Sequence, residues 1–535
     1  MDADLVVVAG TMHTLEADGS ATAVAVKDGL VAGLGDRKQI SGWSGPHTRV
    51  LDLGPAATVT PGLTDGHVHP VMGTRMTEGV SLLGVRSVSG LRAALAEHVA
   101  SLPEGAWVLA WGLQPQVFGD SEPHYELVET AVGGRPTVIR YFDGHAALAS
   151  RAALERAGVD GPREFADNST IVCDAAGRPT GVLCEGGAMS TVLGVIPERP
   201  AQEEAVRVRE SLLGMARSGI TSAHAMEFFD GSDEIYRAIE ADGSLPVRLR
   251  CFAWCMPGGG PEQWQKLVDL QGERGRRWSM GGVKLFIDGT VDHGTAWLHT
   301  PDARGTSVEP AWPDPEEYRA AVAFFHARGV ATATHAIGDR AVEYALEVLE
   351  AAGAGPGGVR HRIEHVETLR TEAIKQFATL GVIASMQPTH CTDYVQADGS
   401  DNWSVRLGPE RAARGWRLAD LNTAGVPLVL GSDWPIADHD PRGILAAAQL
   451  RRPGALPTRT PVSPGQAIDA RTALAGYTTR SAWAVGEENI AGSLAVGKRA
   501  DLAAFSADPL RSSPDELAEC AVLATVVGGE VVHEA

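Results

Sequence analysis

The segment TDGHVHP (64–70) places His67 and His69 two residues apart at the end of an apolar, strand-like run. Side chains at i and i+2 of a strand share a face, so both imidazoles can reach one metal ion. A lone pair of this kind is weak evidence, because two unrelated surface histidines have the same spelling. Its company strengthens it. His335 closes GVATATH, His365 closes VRHRIEH and Asp433 closes PLVLGSD, each at the C-terminal end of a strand-like run. Neutral imidazole and ionised carboxylate are the ligands that zinc prefers. Asp433 also reads as an N-cap of the helix expected after GSDWP, a role that does not exclude a catalytic one.

Lys284 stands in GGVKLFIDG beside Val283, Leu285, Phe286 and Ile287, and is one of only six lysines. A buried ammonium is costly unless it is paired or neutralised. The residue therefore has two readings. It is a strand lysine that reaches solvent or pairs with Asp288, or it is a desolvated, deprotonated amine that has reacted with CO₂. The second product is an anionic oxygen ligand able to bridge two metal ions.

Buried-looking strands alternate with Ala-, Leu- and Glu-rich helical stretches, which predicts an α/β fold, a (β/α)₈ TIM barrel. Its strands are expected at 57–67, 219–224, 246–253, 281–288, 329–335, 359–365, 381–388 and 427–433. The C-terminal ends of such strands converge on the catalytic face, which would gather the four imidazoles and the carboxylate. Two surplus strand-like runs, 106–112 and 137–145, predict an insertion over about 75–205, between barrel strands 1 and 2. Short β-type runs at 5–8, 22–26, 30–34 and 49–53 share their texture with 492–505 and 520–533. Residues 1–56 and 488–535 are therefore expected to form one discontinuous β-sandwich domain around a barrel over 57–487.

Composition narrows the function classes. Across 535 residues, Lys+Arg is 46 and Asp+Glu is 67, a net charge of −21 without a basic patch, which argues against a nucleic-acid partner. No run of 18 apolar residues and no basic n-region occurs, so neither a membrane partner nor a signal peptide is expected and the default location is cytoplasmic. Cys251 and Cys255 lack a second pair to complete a zinc site, so the six cysteines read as reduced thiols.

The ordered set His67, His69, Lys284, His335, His365 and Asp433 resembles the amidohydrolase superfamily, whose pattern is HxH, carboxylated Lys (or Glu), His, His and Asp on successive barrel strands. Longer stretches resemble the amidohydrolase-3 branch of N-substituted formamide deformylase-like metal-dependent hydrolases: DGHAALASRAAL (143–154), GVKLFIDGTVDHGTAWL (282–298), THAIGDRAVEYALEVLE (334–350), RIEHVE (362–367) and GSDWPIADHDP (431–441). The closing ADLAAF (500–505) resembles that family's last β-sandwich strand.

The resemblance implies a hydrolase that cleaves a C–N bond, amide, N-formyl or N-acyl, of a small molecule by attack of a metal-bound hydroxide. His67, His69 and Asp433 would hold one metal, His335 and His365 a second, and carboxylated Lys284 would bridge them, with Asp433 as general acid and base. Zinc is expected, in one or two ions, and iron, manganese or cobalt would also fit. A homodimer is a family expectation only. His145 of FDGH would point back over the site to contact substrate or oxyanion; an Asp143–His145 pair that stabilises a turn is the plain alternative. His224, where the family more often has Asp, is expected to line the pocket, as are Asp288, Trp297 and Trp434, with Glu185 and His390 as similar candidates and His293 and His299 as loop histidines. Trp111 and Phe142 add to an apolar or aromatic surface that fits a neutral N-acyl or N-formyl substrate, although Arg140 or Arg340 could pair with a substrate carboxylate. The same metal centre could instead serve ester or lactone hydrolysis, deamination or decarboxylation. A dead barrel used as a binding scaffold would normally show a broken ligand, and none is broken here.

Overall fold

The structure, a computed structural model, describes residues 2–17, 20–119 and 121–535. Eight parallel strands follow one another in sequence order around a sheet: β1 (Leu63–Val68), β2 (Ile220–Ala225), β3 (Arg248–Trp254), β4 (Trp278–Phe286), β5 (Thr332–Ala336), β6 (Arg362–His365), β7 (Ile383–Met386) and β8 (Leu428–Leu430). The seam between β8 and β1 is drawn together just past the strands by a parallel bridge, Val68 to Trp434, and by the Asp433 N–H donating to the His67 carbonyl at 2.7 Å. Buried on both faces, the strands are rich in Val, Ile, Leu and Ala, as a sheet covered by helices requires. The connecting helices turn apolar stripes inward. Asp339–Ala351, for example, buries Val342, Ala345, Leu346 and Leu349.

The strand expected over 57–67 is in fact two strands in two sheets. Thr58–Pro61 pairs with Leu502–Phe505, and β1 begins only at Leu63. The chain changes sheet at Gly62, whose N–H bonds to Asp501 while the next N–H bonds to Gly219. A side chain at Gly62 would collide with Thr221. Strands from both ends of the chain make one eight-stranded sheet: Leu5–His13, Ser20–Lys27, Leu30–Gly35, Arg49–Asp52 and Thr58–Pro61 with Leu502–Phe505, Val522–Val527 and Glu530–Glu534. The stretch 492–501, whose texture predicts strand, carries none.

Between β1 and β2 the chain builds a separate six-stranded sheet, which includes Val108–Leu113 and Thr137–Tyr141. The run 137–145 is not one strand. It turns at Asp143-Gly144, with Gly144 at φ +75°, and returns antiparallel as Ala146–Ala149. His145 thereby sits at a hairpin tip. No helix among the described residues is long and apolar enough to cross a membrane.

Gly66 of β1 abuts β8 so closely that a Cβ would lie 2.2 Å from Val429 Cγ1 and 2.6 Å from the Leu430 carbonyl oxygen. Gly66→Ala should destabilise the protein by about 1–3 kcal/mol, with faster hydrogen exchange concentrated at the β1–β8 seam. An unchanged melting temperature and exchange pattern would show that the strands are not in this contact.

Candidate metal centre

The C-terminal ends of β1, β4, β5, β6 and β8 bring the expected ligands to one buried place. Nε2 of His67 and Nε2 of His69 each lie 3.3 Å from Asp433 Oδ1, and His365 Nδ1 lies 3.8 Å from Asp433 Oδ2. Ligand atoms of His67, His365 and Asp433 fall within 4.8 Å of one another. The His335 ring is 4.5 Å from that of His365. Lys284, fully buried on β4, has no hydrogen-bond partner for its Nζ, and His67 Nε2 has none either.

Two of these candidate ligands sit where the backbone is strained. His365 has φ +73° and Asp433 φ +58°, in the left-handed region that non-glycine residues rarely occupy. Strict alternation along β6 would put His365 on the face opposite Glu364. The left-handed turn instead brings its ring to 4.8 Å from that of His67.

A second layer of side chains fixes the rings. His67 Nδ1 meets Glu364 at 2.6 Å, so Nε2 is the atom presented to the site. Glu364 accepts from Arg362 Nε at 2.5 Å, and Arg362 also donates to Ser385 and to the Gly66 carbonyl. His365 Nδ1 meets Gln387 Oε1 at 2.9 Å. Asp65 accepts from the backbone N–H of His67 and of Ser432 and so ties β1 to the β8 loop. Glu227 lies 3.6 Å from His69 Nδ1 and accepts from the N–H groups of Val71 and Met72 at the start of the following helix.

Burial sets the protonation states. It depresses His67 to about 4, helped by the Lys284 charge, and holds His335 and His365 well below the usual imidazole range, leaving lone pairs free. Burial also lowers Lys284 to about 8. Asp433 is buried, which alone would raise its pKa, but the neighbouring His67, His69 and His390 keep it below the ordinary carboxylate range. Burial opposes the protonation of His69, but Asp433 and Glu227 beside it raise its pKa. The neutral imidazoles of His67, His335 and His365, an ionised carboxylate and an amine without a partner are a donor set that fits divalent cations.

His145 approaches from the insert, with Nδ1 2.8 Å from Glu185 Oε2 and its ring 5.1 Å from that of His335. Burial opposes its protonation, yet Glu185 and then Asp143 raise it to about 9. Asp143 does stabilise the turn, accepting from the His145 N–H while its carboxylate also meets His293 and Thr290. Above the ligands lies a cavity of about 170 Å³ with Met72, Trp254, Phe286 and Trp312 in its wall. A smaller lobe includes Phe142, Tyr394, Trp403 and His390.

Three residues expected to line the pocket do not. His224 is fully buried beneath the site, its Nδ1 2.9 Å from Arg362 Nη1, where it helps to position that guanidinium. Trp434 packs on Gly73 and His439, carried away from the cavity by the turn after Asp433. Trp297 packs at a tilt against Tyr344, with Arg340 over its ring. Asp288 does line the cavity, but its carboxylate accepts from the N–H groups of Trp297, Ile337 and Gly338, so it shapes loops. Arg340 is paired with Glu347, and His299 with Glu343. Glu364, Gln387 and Glu227 escaped the sequence reading. For Glu364 a signal existed, a carboxylate inside the buried strand RIEH and next to His365.

Glu364→Gln should weaken metal binding by about 10–100-fold, because the His67 ring loses its charged anchor and Arg362 is left with an unbalanced charge. Titration with zinc under competition by a chelator measures this. An unchanged affinity would remove Glu364 from the account.

The amidohydrolase family model matches residues 50–533. The chain is 30% identical to the protein LONG AFTER FAR-RED 3 of Arabidopsis thaliana, over 99% of this chain and 92% of that one. It is 25% identical to the N-substituted formamide deformylase of Arthrobacter pascens, over 99% and 98%. Among solved structures, an uncharacterized metal-dependent hydrolase from Pyrococcus horikoshii OT3 superposes with a TM-score of 0.72 at 25% identity, covering 95% of this chain and 99% of that one. A buried imidazole–carboxylate cluster at the mouth of an eight-stranded barrel, together with a match over nearly its whole length, makes this chain a member of the amidohydrolase family of metal-dependent hydrolases.

Proposed function

We propose that the protein hydrolyses a C–N bond other than a peptide bond, in a small N-acyl or N-formyl compound, at a binuclear zinc centre. The observation that carries this reading is the Lys284 amine, fully buried without a partner beside four imidazoles and Asp433. The Lys284 amine, after losing its proton to solvent, would add CO₂ through its nitrogen and release a second proton, giving a carbamate whose anionic oxygens would serve as ligands for both ions. His67, His69 and Asp433 would hold one, His335 and His365 the other. A bound divalent cation lowers the pKa of water and polarises a carbonyl.

The remaining work falls to the chain's own residues. Asp433, kept ionised, accepts the proton of the attacking water and delivers it to the departing amine nitrogen. The His145 imidazolium, held by Glu185, donates toward the oxygen that becomes negative in the tetrahedral intermediate. The apolar wall of Trp254, Phe286 and Trp312 excludes bulk water and strengthens both interactions. The resemblance to the N-substituted formamide deformylase of Arthrobacter pascens supports the choice of bond.

Lys284→Ala should lose most of its metal, and small carboxylates added in millimolar amounts should restore part of it. Asp433→Asn should hydrolyse N-formyl amines with kcat lowered by about 10²–10⁴-fold. Full metal content and unchanged turnover in Lys284→Ala would discard the bridging carbamate. Unchanged turnover in Asp433→Asn would discard the proton transfer.

A further inference from the structure

Between the sheet of the insert and the barrel helices Pro70–Met76, Ala201–Arg217 and Ser232–Ala241 lies a second cavity, of about 580 Å³, that the chemistry described above leaves unused. It shares Met72, Met76, Gly144 and Met189 with the cavity over the metal ligands, so a flexible methionine wall and the hairpin tip are common to both. Arg140 lines it. This residue stands on the strand Thr137–Tyr141, which runs directly into the Asp143–His145 turn.

Arg140 is 9% exposed, and its Nη1 is buried without a hydrogen-bond partner. Along the strand it follows Val138, on a face packed with Leu109 and Ala147, an apolar setting for a guanidinium. Burial lowers its pKa to about 10, against the charge of Glu78. That acid is already committed, bonded by Arg199 at 2.5 Å and faced by Arg207 at 3.5 Å. The buried acid in the wall, Glu204, is held by Arg75 at 2.8 Å. Glu198, Asp230 and Glu234 stand exposed at the rim, where water and salt screen them. The cation left over is therefore the one in the low-dielectric part of the chamber, where a counter-ion gains most.

We propose that this chamber is a specificity site, in which Arg140 receives a carboxylate at the non-reacting end of the substrate while the C–N bond lies at the metal ligands. The proposal rests on the hydrolase reading above. One guanidinium matches one monoanion with two parallel hydrogen bonds, whereas a dianionic phosphate would leave a charge uncompensated beside the rim acids. The preferred substrate is thus not the neutral compound that the aromatic residues alone imply, but an N-formyl or N-acyl amine that ends in a carboxylate.

The test compares a matched pair of substrates, N-formyl-ε-aminocaproate and N-formylhexylamine, in the metal-loaded wild type, Arg140→Gln and Arg140→Lys. Binding of hexanoate and of hexanamide is measured alongside by calorimetry. The wild type should favour the carboxylate substrate by at least ~10-fold in kcat/KM, mainly through KM. The preference should fall to near one in Arg140→Gln and be partly kept in Arg140→Lys. Arg140→Gln should melt no lower than wild type, because an unpaired buried cation ties nothing together, whereas a structural arginine would leave a less stable protein. Should Arg140→Gln fail to fold, Arg140→Lys carries the test: a carboxylate preference and a hexanoate affinity reduced but still present uphold the proposal, and values equal to those of the wild type overturn it. A wild type indifferent to the carboxylate, or a preference or hexanoate affinity untouched in Arg140→Gln, overturns it as well. Hexanoate binding that needs Arg140, with neither formamide hydrolysed, would keep the chamber and reject the C–N reading on which the substrate assignment rests.

Discussion

The molecule depends on one electrostatic constraint, the burial of several ionisable groups at the barrel mouth without enough partners of their own. A charged amine at Lys284 would face His67, His335 and His365, and its charge opposes the protonation of all three. Removing an ammonium from water costs several kcal/mol that no neighbouring group in the site offsets by a direct hydrogen bond. A protein built only for stability would place apolar side chains there. In the proposed centre, cations would occupy the space between the imidazoles and Asp433, and a carbamate would replace the positive charge of the amine with a negative one.

The rest of the fold reads as the means of holding that unbalanced cluster still. Arg362 and Glu364 form a buried pair under His67 and carry its orientation back to Ser385 on β7 and Gly66 on β1. Asp65 joins the two sides of the seam through backbone donors. The left-handed residues His365 and Asp433 are tolerated because backbone hydrogen bonds hold the chain on either side, His365 paired with Ala336 and followed by the Val366 N–H on the Ala336 carbonyl, Asp433 donating to His67 and accepting from Ile436. The hairpin of the insert then closes over the mouth with a charged His145–Glu185 pair.

Much of this was legible in the sequence because barrel strands and their ends have a simple signature. Apolar runs that finish in His, His and Asp mark candidate ligands whatever the exact register, and the structure brings ligand atoms of His67, His365 and Asp433 within 4.8 Å of one another. What failed was side-chain direction. His224 and His365 both close strand-like runs, yet one turns down to Arg362 and the other up to the site, and the difference is a backbone φ that residue type does not reveal. Trp297 and Trp434 were attractive as aromatics near ligands, but each lies past a turn whose geometry is set by loop hydrogen bonds. Glu364 was hidden for the opposite reason, because its meaning comes from a partner nearly three hundred residues away. The break at Gly62 was invisible because one apolar run serves two sheets without a change of composition.

The most direct test of the central claim is an X-ray structure of the metal-loaded protein, with anomalous scattering recorded on both sides of the zinc absorption edge. Two anomalous peaks are expected, one among His67, His69 and Asp433 and one beside His335 and His365, with continuous density for a carbamate on Lys284 between them. A bare Lys284 amine with no anomalous peak at these residues, in crystals grown with excess zinc, would contradict it.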